Sequence, residues 1–457
     1  MNSFRSRLDD FFGITERGST FGREISGGFS AFAAMSYIVF VQPTVLAIAG
    51  MDFGAVLTAT CVSSAIACVL MGVLARYPFA LAPGMGENFL FALAICGGMG
   101  YTWQNALGMV LISGVLFVAL TLTGARERVL EVFPVSLRNA IGPAIGLFIA
   151  FIGLQWSGLV ALSPATMVRI GNLHHPVTLV SLAGLGLTVA LLLWNIRSAL
   201  LVGVLATAGL GWLTGAFNAT DVPDAAISFD TFFQVRFDQL LERPANALTA
   251  IALLFFLDFF DTVGSLVGLS TQAGFIDENG RLPRAGKAFL SDALGTCAGA
   301  LCGTSTVTTY VESAAGISAG ARTGLAAVVT GGCFLLAPLL MPVAAFVGGN
   351  VGPAYYADLG MPDTLVAMHP AVSPALILVG FLMLSPLARI NWSDLTEGLP
   401  AFITVLGMVF GYGITEGIAA GCVACSACKL LAGRGREIHA VFHGIAVLFV
   451  LRYVFLM

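Results

Sequence analysis

The stretch YPFALAPGMGENFLFA, residues 77–92, decides the architecture, because it is apolar enough for a membrane interior yet cannot be one continuous helix. Pro78 and Pro83 lack the N–H that a helix interior requires, and Gly84 and Gly86 weaken the turn that follows. Irregular backbone at membrane depth survives only where it is buried in protein or lines a cavity. A second interrupted stretch, CGTSTVTTYVESAAG, occupies residues 302–316 and is short, polar and rich in β-branched residues. The two breaks fall at corresponding distances from the starts of apolar runs, near residue 26 for the first and near residue 246 for the second. Paired broken segments in two halves of a chain point to inverted repeats with a solute site at mid-membrane depth.

The surroundings of these breaks read as membrane. Of 457 residues, 58% are hydrophobic and 10% charged, against about 25% charged in a soluble domain. Apolar segments recur from 26–48 to 415–431, with a further run at 438–456. They number about fourteen, and a helix crossing a bilayer takes roughly 20 apolar residues. The 54 glycines suit close helix packing. No basic tract suggests nucleic acid, and no G-x-x-x-x-G-K-[ST] loop suggests an ATP-driven pump. Cys422, Cys425 and Cys428 have a ligand-like spacing but no fourth ligand, and their run reads as a lipid-embedded helix. Neither a metal site nor a cofactor is expected, and the nine cysteines imply no disulfide framework. The histidines fall at loops and near ends, with no cluster or nucleophile arrangement of an enzyme.

Charge placement fixes a frame. With a polar N-terminal segment, 1–22, kept in the cytoplasm and segments alternating, 17 Lys and Arg fall inside. Only Arg169, Arg236 and Arg243 fall outside, with Arg452 in the ambiguous last run. That bias is what the positive-inside rule predicts for an inner membrane. The frame places 217–245 outside as a linker between a first repeat, 23–216, and a second, 246–457. The loop 348–370, with Asp358 and Asp363, is also expected outside.

Ionisable residues inside apolar runs cost about 2.5–3.5 kcal/mol each on insertion scales, so each requires a reason. The candidates are Glu87, Asp258, Asp261, Asp292 and Glu312. Asp258 and Asp261 are three apart in ALLFFLDFFDTVGSLVG, hence on one helical face. Either could instead accept hydrogen bonds from a neighbour such as Thr262 or Ser265. Glu312 follows Thr309 and Tyr310 in the second break and precedes Ser313; a carboxylate there can accept two N–H donors of a planar heterocycle. Glu87 holds the equivalent place in the first break, after Gly86. Asp292 stands near a segment start, where bracing a loop or capping a helix is the competing role. Acids without basic partners at this depth are candidate proton carriers, and the absence of nearby Lys or Arg favours a neutral solute over an anion.

Several longer motifs resemble the nucleobase–cation symporter-2 superfamily (nucleobase–ascorbate transporters), and within it the adenine/guanine/hypoxanthine permease branch. They are FAAMSYIVFVQPTVL (32–46), YPFALAPGMGENFLFA (77–92), FLDFFDTVG (256–264), SDALGT (291–296), GTSTVTTYVESAAGISAGARTGL (303–325) and EGLPAFITVLGMVFGYGITEGIAAG (397–421). The resemblance covers about residues 20–455. It implies an all-α polytopic fold of about fourteen spans in two inverted seven-helix repeats, with short strands opening segments 3 and 10. It implies core helices at 23–123 and 246–347 and gate helices at 133–216 and 371–457. A homodimer through the gate is implied as well. It further implies uptake of a purine nucleobase by proton symport; uracil, xanthine, urate, another small solute, or transport without proton coupling are the alternatives. Asp261, Asp292 and Glu312 match the family's functional acids, and Ser313 the purine-branch residue beside the last. Glu87 departs from the branch, which more often has a neutral residue after Gly-Met-Gly. Gly86, Thr309 and Tyr310 are expected beside the substrate, with Phe32 and Phe89 as candidate stacking rings, and Asp258 joins Asp261, Asp292 and Glu312 as a proton carrier.

Overall fold

The computed structural model describes residues 2–124, 132–163, 165–217, 226–276, 282–348 and 369–455. The chain is helical apart from two short strand pairs. A surface helix α1 (Asn2–Phe12) precedes α2 (Phe21–Met35) and α3 (Ile38–Ala47), then α4 (Phe53–Leu70), which widens into a π-helical turn at Met71–Ala75. Strand β1 (Leu81–Pro83) leads into α5 (Met85–Phe89), continued by Leu90–Gly98, and α6 (Trp103–Thr123). Next come α7 (Val135–Trp156), the exposed hairpin β2 (Val160–Ser163) and β3 (Met167–Ile170), α8 (Pro176–Leu193) and α9 (Ala199–Leu213). The second half holds α10 (Asp238–Glu242), α11 (Pro244–Ala273), α12 (Ala285–Cys302), β4 (Val307–Thr309), α13 (Ser313–Ser318), α14 (Gly324–Leu336) and α15 (Met341–Gly348). It ends with α16 (Ser373–Leu382), α17 (Leu395–Phe410), α18 (Ile414–Leu431) and α19 (Ala440–Phe455).

Among the described residues, eight helical stretches are long and apolar enough to cross a membrane, from Phe21–Ala47 to Ile414–Leu431. This is a multi-pass membrane protein. Helix starts carry the expected caps: the Asp52 carboxylate accepts from Ala55 N at 2.7 Å, and Thr323 Oγ1 from Leu325 N at 3.4 Å. Gly274, at φ 68°, ends α11 in the left-handed conformation that glycine adopts without strain.

By contacts the chain divides into two compact units. One comprises Met1–Leu122 with Leu154–Ala375, the other Thr123–Gly153 with Leu376–Met457. In the first, backbones approach where side chains are absent. A Cβ on Gly28 would stand 2.6 Å from Ala326 O, and one on Gly324 would run into the Gly72 carbonyl. Without a hydrophobic drive between helices in lipid, such close packing supplies much of the cohesion. In the second, α17 and α18 form a hairpin packed through Gly417 against Met408 and Gly421 against Thr404. Its polar end is a cluster of Arg434 with Asp394 and Glu437, and of Lys429 with Glu437, each at 2.7 Å.

The expected linker 217–245 is packed rather than free over the part that is described. Phe233 N donates to Leu301 O at 2.7 Å, Arg236 N to Gln104 O at 3.0 Å, and Asn105 Nδ2 to Asp238 Oδ1 at 3.1 Å. These bonds satisfy irregular backbone by tying it to α6 and α12. Residues 218–225 and nearly all of the loop 348–370, including Asp358 and Asp363, lie outside the described residues.

Candidate functional site

The two broken stretches meet. β1 and β4 pair antiparallel, with Leu81 opposite Thr309, Ala82 opposite Thr308 and Pro83 opposite Val307. Strands of three residues cannot hold themselves, so flanking bonds extend the ladder. Gly84 N donates to Thr306 O at 2.9 Å and Tyr310 N to Ala80 O at 3.0 Å. Ala80 N donates to Ser313 Oγ at 2.9 Å, Leu81 N to Cys68 Sγ at 3.2 Å, and the Tyr310 hydroxyl to Pro83 O at 2.5 Å. Ser313 and Tyr310, expected beside the solute, thus have polar atoms engaged with the β1 backbone.

The five acids divide by exposure and partners. Asp292 is fully buried; Thr262 Oγ1 donates to one of its oxygens at 2.6 Å and Thr309 Oγ1 to the other at 2.9 Å. Asp258 is also fully buried and accepts from Thr296 Oγ1 at 2.9 Å, while its Oδ1 has no partner. Asp292 lies inside α12, away from its cap, so it neither caps that helix nor braces a loop, and Asp258 takes its hydrogen bond from Thr296 on α12 rather than from Thr262 or Ser265. Asp261 and Glu312, by contrast, are only half-buried. Glu312 Oε1 accepts from the Tyr37 hydroxyl at 2.8 Å. Asp261 lies within electrostatic range of both Glu312 and Glu87. Glu87, in the first turn of α5 beside Gly86, is buried and folds back over Gly84. A Cβ on Gly84 would meet the Glu87 carboxyl, its Cδ at 2.8 Å, and Thr308 Cγ2 at 3.0 Å. Among the described residues none of the five has a Lys or Arg partner.

Beside the strands lies a buried amide pair. Gln42 Nε2 donates to Thr304 Oγ1 and Ser305 Oγ, both at 2.9 Å, and Gln42 Oε1 accepts from Asn88 Nδ2 at 2.8 Å. Asn88 Oδ1 and Thr306 Oγ1 are buried without partners. Tyr37 and Gln42 were not singled out from sequence, although a lone amide in the apolar run IVFVQPTVLA is a visible signal. The candidate rings do not gather. Phe32 meets Phe334 edge-on at 5.1 Å between centroids, and Phe89 meets Trp156 at 6.3 Å.

This arrangement offers half-open carboxylates and buried neutral hydrogen-bonding groups with no local cation. It suits a small, polar, uncharged solute rich in N–H donors. Among the described residues no group of His, Cys, Asp and Glu is placed to hold a metal ion, and Cys422 and Cys425 are buried free thiols.

The family profile Xan_ur_permease, described as Permease family, matches residues 22–357. The guanine/hypoxanthine permease PbuG of Bacillus subtilis is 41% identical over 98% of this chain and 100% of its own length. The adenine permease AdeP of Escherichia coli is 39% identical over 99% of this chain and 97% of its own. Among solved structures, the transmembrane domain of the cyanobacterial bicarbonate transporter BicA has a TM-score of 0.64, covering 87% of this chain and 96% of that one. At 13% identity it shows the shared fold only.

Proposed function

The chain belongs to the Xan_ur_permease family, and on that footing we propose that it takes up purine nucleobases (adenine, guanine or hypoxanthine) by proton symport. The observation that carries the reading is Glu312, half-buried at the strand crossing, held through one oxygen by Tyr37 and, among the described residues, without a Lys or Arg partner. Its second oxygen is the acceptor offered to the N–H edge of a base. Asp261 faces the same charge neighbourhood and supplies a second acceptor, with Glu87 and the backbone at Gly86 beside it. The names of the relatives, purine-base permeases over their full lengths, support the substrate class.

A carboxylate that grips N–H groups in a site without cations carries net negative charge, and a proton taken up with the base removes it. Asp261, half open, is the first proton acceptor in this scheme, with Asp292 and Asp258 behind it and Glu312 taking a proton only once the base has left. The Lys and Arg distribution supports an inner-membrane protein with a cytoplasmic N-terminus. The helices within 23–123 and 246–347 act as the substrate-carrying part and those within 133–216 and 371–457 as the gate.

Glu312→Gln tests the grip. The variant keeps the shape but turns a charged acceptor into an amide. A hydrogen bond to a charged group contributes about 1.5–3 kcal/mol, so base affinity falls by roughly tenfold to a hundredfold. The assay is uptake of labelled hypoxanthine and adenine into vesicles with matched protein levels, with uracil and xanthine as competitors. Unchanged affinity removes the grip; stronger competition by uracil than by purines removes the substrate class; uptake indifferent to collapse of the proton gradient removes symport.

A further inference from the structure

Helix α2 has two unlike faces. One carries Glu24, Gly27, Gly28 and Ala31, all buried; Gly27 and Gly28 abut Ala321 and Val329. The opposite stripe, Ile25, Ser26, Phe29, Ser30 and Ala33, follows the three- and four-residue spacing of a helix surface. It forms one wall of a groove of about 530 Å³. The other wall is the turn between α8 and α9, which presents Arg197. Phe29 is 57% and Ile25 43% exposed, so the floor is apolar and open.

Among the described residues lining this groove Arg197 is the only cation, and it donates to Ser30 Oγ at 3.1 Å. Among the described residues no carboxylate pairs with it. A guanidinium has five donors, so most remain for an anionic oxygen, with the Ser26 and Ser30 hydroxyls alongside. Three residues before it, Trp194 is 70% exposed. An exposed Trp on a membrane protein marks the headgroup level, where its amphipathic ring is most stable. The charge frame sets this turn on the same side as the N-terminus, the side on which basic pockets between helices meet anionic headgroups.

We propose that this groove binds an anionic phospholipid, its phosphate on Arg197, Ser26 and Ser30 and one acyl chain along Ile25, Phe29 and Ala33. A free phosphate ion would leave the exposed apolar floor uncovered, and a zwitterionic lipid would bring a cation of its own beside Arg197. A lipid with net negative charge satisfies both walls at once. The inference rests on this surface alone and stands apart from the transport reading.

Native mass spectrometry of the full chain in detergent, titrated with phosphatidylglycerol or phosphatidylcholine, tests it. Wild type retains phosphatidylglycerol in preference, and Arg197→Gln binds it more weakly by about fivefold, the weight of one basic residue at an anionic surface. Arg436→Gln, which removes an exposed cation elsewhere, leaves retention unchanged. Equal retention of the two lipids overturns the proposal. So does retention by Arg197→Gln equal to wild type, or an equal loss in Arg436→Gln. If millimolar inorganic phosphate displaces the lipid completely, the site is for a free anion and the assignment to a lipid fails.

Discussion

Removal of one hydroxyl, Tyr37→Phe, separates a carboxylate that is merely present from one that is aimed. Tyr37 lies in the two-residue break between α2 and α3, 1% exposed, and its hydroxyl donates to Glu312 Oε1 at 2.8 Å. Phenylalanine keeps the ring and its packing, so the substitution removes the donor and little else. The bond exists before the base arrives, and its full strength therefore cancels between empty and loaded protein. What does not cancel is the freedom Glu312 regains. Ordering a flexible side chain on binding costs about 0.5–1.5 kcal/mol, which corresponds to a rise in KM of roughly two- to twelvefold. The loss should be smaller than that of Glu312→Gln, where the charged acceptor itself disappears.

The measurement is initial-rate purine uptake in proteoliposomes at matched protein density, with the melting temperature of each variant recorded in parallel. The double variant Tyr37→Phe/Glu312→Gln should be no worse than Glu312→Gln alone, because Tyr37 acts through that carboxylate. Losses that add in the double variant refute the linkage. A KM equal to wild type refutes the aiming role, and if the melting temperature falls at the same time, Tyr37 is a packing residue only.

Two further outcomes follow from packing and from surface charge. Gly324→Ala drives a Cβ into the Gly72 carbonyl, whereas Gly332 on the same helix has open space. Overpacking costs about 1–3 kcal/mol, so Gly324→Ala should lower the melting temperature by several degrees while Gly332→Ala does not; equal behaviour contradicts the close approach. Asp394→Asn keeps a residue able to cap α17 but removes the charge paired with Arg434. The Arg434 guanidinium holds Asp394 below the ordinary carboxylate range and Glu437 at about 2. Depressed carboxylates stabilise above their unfolded pKa, near 4, and lose that contribution as pH falls through the folded value. The melting-temperature gap between wild type and Asp394→Asn should therefore be flat from pH 8 to 5 and close below about pH 4; a gap that widens on acidification refutes the pairing.

What was legible in the sequence is what backbone chemistry and charge cost make legible. Proline, glycine and β-branched residues at 77–92 and 302–316 cannot continue a helix, and the two stretches do meet as β1 and β4. Acids in apolar runs stand out because each is expensive there. Partner choice does not stand out, because it depends on which hydroxyls other elements bring. Nothing local distinguishes Asp292, clamped by Thr262 and Thr309, from Asp261, left half open. Tyr37 is hidden for a similar reason: its ring reads as one more apolar residue in a greasy run, and only its hydroxyl reaches Glu312. Phe32 shows the reverse, since a ring at helical spacing finds another ring, Phe334, and packs.

The division among the acids has a mechanical consequence. Thr296 Oγ1 touches both Asp258 and the backbone of Val307, and the Thr309 hydroxyl donates a hydrogen bond to Asp292, which also accepts one from Thr262. The buried acids therefore fasten β4 to α11 and α12, at the strand that delivers Glu312. A three-residue strand has too few ladder bonds to be rigid alone, and these buried side-chain hydrogen bonds add to them. Protonating either buried acid would turn an acceptor into a donor and force its threonine partner to reorient. On the proposed transport reading, the closed acids hold the strand crossing while Glu312 engages a solute beside it.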